Sequence, residues 1–258
     1  MKNKELKKKF QRGIVLMMAL ILLVSFTDNR VMAETNTTKE INKVAKTIDG
    51  FIWSIIFESN INVYEDEKEE KITKKEFDKY MKIHYNGKLT NQVKTIIATR
   101  NLDYKKDVET ERTWEKEDFT YILTVSEKTI NTKIKNIFGK KLDKIDLPIW
   151  KDKNSLNDFT KEFYLGGLAK SEAGKIYIIN EEFDSHTEFK YVTKNVEKSG
   201  NTYTVTRQYK YYRYFLDTKP QYIVNATITI KKNSNSSYGY NIVGLKLKTQ
   251  SVKVEPFM

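Results

Sequence analysis

The chain has no cysteine and contains only three prolines and two histidines. Without cysteine, no disulfide can stabilise the fold and no lipobox cysteine can carry a lipid anchor. The histidines, His84 and His186, form no zinc-ligand spacing such as H-E-x-x-H, and the hydrolase motifs G-x-S-x-G and S-x-x-K are missing. Stability must therefore come from a packed core, and we expect no cofactor.

Positive charge is in excess, but much of it lies at the start of the chain. The net charge is +12, and residues 1–33 hold seven basic residues against two acidic ones, so they supply five of the twelve excess charges. The remaining chain carries +7, with no run of five or more like charges. We therefore expect no nucleic-acid partner. A modest positive field suits an anionic partner outside the cell, such as a teichoic acid or a phospholipid surface.

Residues 1–33 have the pattern of a secretory signal peptide. A basic start is followed by an apolar run at 13–26 and by a small-residue cleavage site that ends at Ala33. The apolar run is shorter than the ~20 residues of a membrane span. We expect cleavage and a secreted protein. The alternative is an uncleaved segment that tethers the protein to the membrane through residues 13–26, and only in that case do we expect membrane contact.

The rest of the chain changes its periodicity along its length. Apolar residues recur at helical spacing from Ile41 to Phe57, and further short helices follow, one of which stops at Gly139. Asp146-Leu147-Pro148 is typical of a loop and is the candidate domain boundary. These features predict an N-terminal helix-rich α+β region at 34–145 and a C-terminal α+β domain with an antiparallel sheet at 146–258.

The second half is dominated by strand patterns. Residues 202–214 alternate, with Tyr203, Val205, Tyr209 and Tyr211 facing one side of the predicted strand. Other strands are predicted at 175–180, 187–197, 222–230 and 240–245, and a helix is predicted from Ser155 to Gly166. The fold class predicted is α+β, in which N-terminal helices precede a curved antiparallel β-meander packed on a helix.

The order of these elements from about 150 to 248, a helix followed by long Tyr/Thr/Val strands, resembles nuclear-transport-factor-2-like (cystatin-like cone) domains. That resemblance implies a concave pocket. The run DKNSLNDFTKEFY, followed by a strand that begins at Gly174-Lys175, is similar to secreted DL-endopeptidase inhibitors of Gram-positive cell walls. This second resemblance implies a protein partner, and neither resemblance identifies a functional residue.

An acidic segment offers the one candidate metal site. Aligned with an EF-hand loop, Glu65, Glu67 and Glu69 would supply the early calcium ligands and Glu76 the bidentate last one. Glycine is missing from the position where the loop needs a sharp turn. The alternative is an acidic linker before a helix, with Glu76 in the capping box of that helix.

The candidate binding residues lie in the aromatic stretch that ends at Phe215. The alternation assigns Tyr212, Tyr214 and Lys210 to the side of the strand opposite the core. Tyrosine offers a stacking face with a polar tip, which suits a glycan or a protein surface. The alternative is that these tyrosines only pack in the core or along an edge strand.

These observations predict an exported, non-catalytic binding or accessory protein of a Gram-positive cell envelope. The Gram-positive source is inferred from the many Lys, Asn, Ile and Tyr residues and the few prolines. The expected partner is a cell-wall polymer or an envelope protein. Two other classes stay open: an envelope hydrolase with a carboxylate-based site, since acidic residues are abundant, and an inhibitor of a cell-wall endopeptidase.

Overall fold

The computed structural model describes residues 36–64, 74–113, 120–147, 149, 167–171, 173–181, 188–212 and 219–251. The chain separates into two compact units, residues 1–41 and residues 42–258. In the first unit, residues 36–41 are helical. In these described stretches, no helix combines the length and the apolar character needed to span a membrane.

The second unit contains helices and antiparallel strands. The helices are α1 (42–46), α2 (Asp49–Tyr64), α3 (Lys74–His84), α4 (Asn91–Thr99), α5 (Tyr104–Asp107) and α6 (Glu127–Phe138). The strands are β1 (Thr110–Thr113), β2 (Thr120–Ser126), β3 (Leu168–Lys170), β4 (Lys175–Glu181), β5 (Glu188–Ser199), β6 (Thr202–Tyr212), β7 (Tyr222–Lys232) and β8 (Tyr240–Ser251). They form two four-stranded sheets, and the fold is α+β as predicted.

The first sheet has the strand order β1-β2-β4-β3, and each neighbouring pair is antiparallel. β1 and β2 precede the domain boundary predicted at residue 146, and β3 and β4 follow it. One sheet therefore includes strands from both predicted regions. The strand predicted at 175–180 is present as β4, but it pairs with β2 and β3 and takes no part in the meander. Buried apolar side chains on both central strands, including Ile122 and Ile176, favour this pairing.

The second sheet is the predicted meander, in which β5, β6, β7 and β8 pair in chain order. Burial alternates along β6 and β7, and the buried set on β6 includes Tyr203, Val205, Tyr209 and Tyr211 as the alternation predicts. One face of this sheet is therefore the core face. β5 pairs only with β6 among the described strands, so it is an edge strand.

Helices from the first half of the chain cover the core face of the meander. The Phe77 ring of α3 stacks on Tyr222 of β7 with ring centres 4.2 Å apart. The Tyr85 hydroxyl donates a hydrogen bond of 2.6 Å to the Leu245 carbonyl oxygen on β8. The helix predicted from Ser155 to Gly166 lies outside the described residues.

The long helix predicted from Ile41 to Phe57 is interrupted between α1 and α2. At the break, the Thr47 hydroxyl donates to the Val44 carbonyl oxygen at 2.7 Å, and the Thr47 carbonyl oxygen accepts a 2.6 Å hydrogen bond from Asn101 Nδ2. Side-chain partners thus satisfy backbone groups at the break. As a result, a new helix begins at Asp49, which stands in its first turn, where negative charge is favoured.

Candidate binding site

The core of the meander contains a buried ion pair between Arg207 on β6 and Asp49 on α2. Arg207 Nε donates to Asp49 Oδ1 at 3.0 Å, and Nη2 donates to Oδ2 at 2.7 Å. The Tyr209 hydroxyl donates to Asp49 Oδ1 at 2.7 Å. Only 1% of the Arg207 surface is exposed. We call Arg207, Asp49 and Tyr209 the Arg207 cluster. A buried charge of this kind persists only when it is paired and hydrogen-bonded.

Strand β5 supplies the next contacts. Arg207 Nη1 donates to the Thr193 hydroxyl at 2.7 Å, and that hydroxyl donates to Asn42 Oδ1 at 3.1 Å. Thr193 lies directly opposite Arg207 in the register. A bulge at Lys194 follows, because Asn195 is already opposite Thr206. The extra residue shifts the alternation of β5, so Thr193 and Val196 lie opposite the core-facing Arg207 and Val205, whereas Asn195 lies opposite Thr206 on the other face.

Two aromatic rings lie close to the Arg207 guanidinium. The Arg207 Cζ atom lies 5.3 Å from the Tyr191 ring centre and 5.8 Å from that of Tyr209, within the range of cation–π contacts. The Phe189 and Tyr209 rings are stacked with centres 5.7 Å apart. Tyr191 nevertheless remains 51% exposed, although its strand parity places it on the core face. The core face of the sheet is therefore open at its β5 edge.

Burial governs the proton affinities of the cluster. Burial raises the pKa of Asp49, although the Tyr209 hydroxyl and the Arg207 guanidinium both favour its ionised form. The pKa of Tyr209 is raised as well, first by burial and then by the neighbouring Asp49 carboxylate. Arg207 stays charged in any case. The raised pKa keeps the Tyr209 phenol neutral, while the permanent charge of Arg207 favours the ionised form of Asp49.

Two exposed side chains near Asp49 in the sequence are a lysine and a tryptophan. Lys46 and Trp53 lie three residues before and four residues after Asp49, and both are exposed. Positions with this spacing share one side of a helix, although the turn at Thr47 interrupts the helix between Lys46 and Asp49. Trp53 on α2 thus continues the side that carries Asp49.

Two of the residues predicted to bind, Lys210 and Tyr212, lie on the same strand as Arg207 but on its other face. Tyr212 is only 7% exposed, and the Lys190 ammonium lies 4.9 Å from its ring centre. Lys210 is half-buried. Tyr214 lies outside the described residues. The structure therefore brings Tyr212 together with Lys190 of β5, and it does not join Lys210 to the Arg207 cluster.

The calcium candidates fall largely outside the described residues. This applies to Glu65, Glu67 and Glu69. Glu76 is part of α3, but its side chain is not described. In the stretches that the structure does describe, no group of three or more His, Asp or Glu side chains could hold a metal ion.

His84 is a packing residue of α3, as its position on the apolar side of that helix predicts. It is buried, and burial lowers its pKa to about 4. His186 lies outside the described residues. His84 does not belong to the Arg207 cluster.

Arg207 is not among the residues predicted to bind, although its position carries a signal. The alternation that assigns Val205 and Tyr209 to the core also assigns Arg207 to the core, because all three positions have the same parity. An arginine at such a position requires a buried partner. Asp49 carries no comparable signal, since an acidic residue in a helix is ordinary.

Comparisons with protein-family models, with curated proteins and with solved structures give no match to this chain.

Proposed function

We propose that this chain is an exported, non-catalytic binding protein of a Gram-positive cell envelope, and that it holds a wall glycan at the β5 edge of the meander. Export is supported by the signal-like pattern of residues 1–33. The observation that carries the binding role is Tyr191, a half-exposed ring whose neighbour is the buried Arg207 guanidinium.

The chemistry of this edge suits a saccharide. A sugar has apolar ring faces that stack on aromatic side chains and hydroxyls that need polar partners. Tyr191 offers the ring, while Thr193 and Asn42 offer hydroxyl and amide groups beside it. The Arg207 guanidinium already contacts the Tyr191 ring and limits its motion. Little conformational entropy is therefore lost when a ligand stacks on this ring.

The hydrogen bonds of the Asp49 carboxylate favour a non-catalytic function over the hydrolase alternative. Both oxygens of its carboxylate accept hydrogen bonds, from Arg207 and from Tyr209. A glycosidase of the usual kind needs two carboxylates on opposite sides of the scissile bond, one of them free to transfer a proton. The resemblance to nuclear-transport-factor-2-like domains also implies a ligand in a concave face, and it stays a prediction.

The inhibitor alternative has one observation in its favour. β5 is an edge strand with exposed side chains on both faces, among them Tyr191 and Val192. Such an edge can accept a strand from a partner protein. Strand addition would depend on the β5 backbone, whereas glycan stacking would depend on the Tyr191 ring.

The test is calorimetric titration of the protein with soluble wall glycan strands, with Tyr191→Ala as the variant and Val192→Ala as the matched control. Both residues are exposed neighbours on β5 that point to opposite faces. We expect Tyr191→Ala to weaken glycan binding ~tenfold and Val192→Ala to leave it unchanged. No binding by the unmodified protein, or equal loss in both variants, would overturn the proposal. Capture of a wall endopeptidase that both variants retain would favour the inhibitor.

A further inference from the structure

A concave site that shares no lining residue with the Arg207 cluster lies between α4 and the loop that follows α6. It is a cleft of about 410 Å³, within the size range of small-ligand sites. Lys94 of α4 lines one side, and Lys140, Lys141 and Lys144 of the loop line the other. We call this site the lysine cleft. Against these four cations, the lining contains only two acidic residues, Asp143 and Asp146.

The lysine-bearing loop is held in place by the protein core. The loop begins at Gly139, whose φ of 84° ends α6 in the left-handed conformation. The Leu142 amide donates to Asn131 Oδ1 at 3.0 Å. Farther along, Ile145 and Leu147 are buried. The loop thus alternates anchored and exposed residues, so the backbone that carries its lysines is held in place before any ligand arrives.

The opposite wall favours an anion as well. Asn91, the first residue of α4, lines the cleft, and the first turn of this nine-residue helix contains no acidic side chain. N–H groups in the first turn have no partner within the helix, and the helix dipole adds positive potential there. The Lys94 ammonium lies 5.9 Å from the Phe138 ring centre, which orients it at the cleft.

The cations of the cleft are less neutralised than Lys133, which lies on the neighbouring α6. Lys133 pairs with Asp107 at 2.7 Å, and both side chains are largely buried. In the cleft, Lys144 lies 3.8 Å from Asp146 in a solvent-exposed pair, which contributes little. Among the described residues, Lys140 and Lys141 form no ion pair.

We propose that the lysine cleft binds the phosphodiester groups of an anionic envelope polymer, with poly(glycerol phosphate) as the chemical type. Lysine is a point-charge partner for phosphate oxygens, and lysines on both walls can neutralise more than one phosphate. None of the exposed large apolar side chains in the described residues lines the cleft, whereas a membrane-binding surface presents such side chains to the lipid. A soluble polyanion therefore fits better than a lipid surface. This site is separate from the Tyr191 edge, and its binding test does not depend on glycan binding there.

The test is titration of a short poly(glycerol phosphate) oligomer into the full chain, produced in an exporting bacterial host. The double variant Lys140→Gln/Lys141→Gln is compared with Lys246→Gln/Lys248→Gln, which removes the same charge from exposed positions on β8. We expect the cleft variant to lose at least ~tenfold in affinity and the β8 variant to lose no more than ~twofold, because salt screens distant surface charges. Equal losses would show a general field effect and overturn the proposal.

Three further probes separate the sources of the anion. We expect inorganic phosphate to compete at millimolar concentration, and a failure to compete would overturn phosphate recognition. Polyglutamate of equal charge should bind more weakly than the oligomer, and tighter binding would overturn the assignment to phosphate. Binding to phosphatidylglycerol vesicles without binding to the oligomer would make a membrane the partner and overturn the polymer. Tyr191→Ala should leave oligomer binding unchanged, and a loss there would contradict two separate sites.

Discussion

Arg207 and Asp49 are 158 positions apart in the chain, yet the guanidinium of one meets the carboxylate of the other at two points, with N–O distances of 3.0 and 2.7 Å. This contact joins the second helix of the unit to the central part of the meander. Since both charges are largely removed from water, each depends on the other for its solvation. The pair therefore fixes α2 against β6, and the same guanidinium contacts the exposed Tyr191 ring on β5.

Removal of one partner of this pair should be costly. Arg207→Met or Asp49→Leu leaves a buried charge without its counter-charge, and we expect each to lower the free energy of unfolding by about 3–5 kcal/mol. The double variant should lose clearly less than the sum, because it contains no unpaired charge. Denaturant unfolding measures all three. Lys210→Met on the other face of β6 is the control, with an expected change within about 0.5 kcal/mol, and strict additivity would contradict a direct pair.

His84 should make stability fall at mildly acidic pH. Its folded-state pKa is about 4, while the ordinary value is 6.5. Between these values the unfolded chain binds a proton that the folded protein does not, so the free energy of unfolding decreases as pH falls from 6.5 to 4, by up to about 3 kcal/mol. Unfolding curves across this range should show a shallower pH dependence for His84→Leu than for the unmodified protein. Parallel curves would contradict the expectation.

Two glycines with positive φ offer a matched test of crowding. Gly87 has a φ of 87° and no atom within 4 Å of an added Cβ, whereas at Gly139, with a φ of 84°, an added Cβ would lie 2.5 Å from Asn233 Nδ2. Gly87→Ala should cost about 1–2 kcal/mol from conformation alone. Gly139→Ala should cost about 1–3 kcal/mol more, because Asn233 must shift. Thermal or denaturant unfolding of both variants gives the difference, and equal costs would mean that Asn233 moves freely.

The stacked pair of Phe77 and Tyr222 should anchor α3 to the meander. Phe77 is fully buried, and we expect Phe77→Ala to lower the free energy of unfolding by about 3–5 kcal/mol through lost contact and a residual cavity. Ile83→Ala on the same helix is the control, because more than half of the Ile83 surface is exposed. It should change stability by less than about 1 kcal/mol. Similar losses in both variants would contradict a specific role for the stack.

The periodic parts of the fold were predictable because periodicity is local. Alternation at positions such as Val205 and Tyr209 follows from the two-residue repeat of a strand, and the sheet confirms it. The end of α6 at Gly139 was predictable for the same reason, since a glycine adopts the left-handed conformation without a steric penalty. The break at Thr47 was not predictable, because Asn101 contributes to it from a distant part of the chain.

The sequence by itself determined the α+β class, the positions of the meander strands and the buried faces of β6 and β7, and it predicts export and an envelope partner. Only the tertiary structure decided which partners meet. It paired β4 with β2, joined Arg207 to Asp49 and brought Lys94 to the same cleft as Lys140. Local patterns specify which way a side chain points, whereas the identity of its neighbour depends on how distant segments pack together. Both candidate binding sites of this protein arise from such long-range packing.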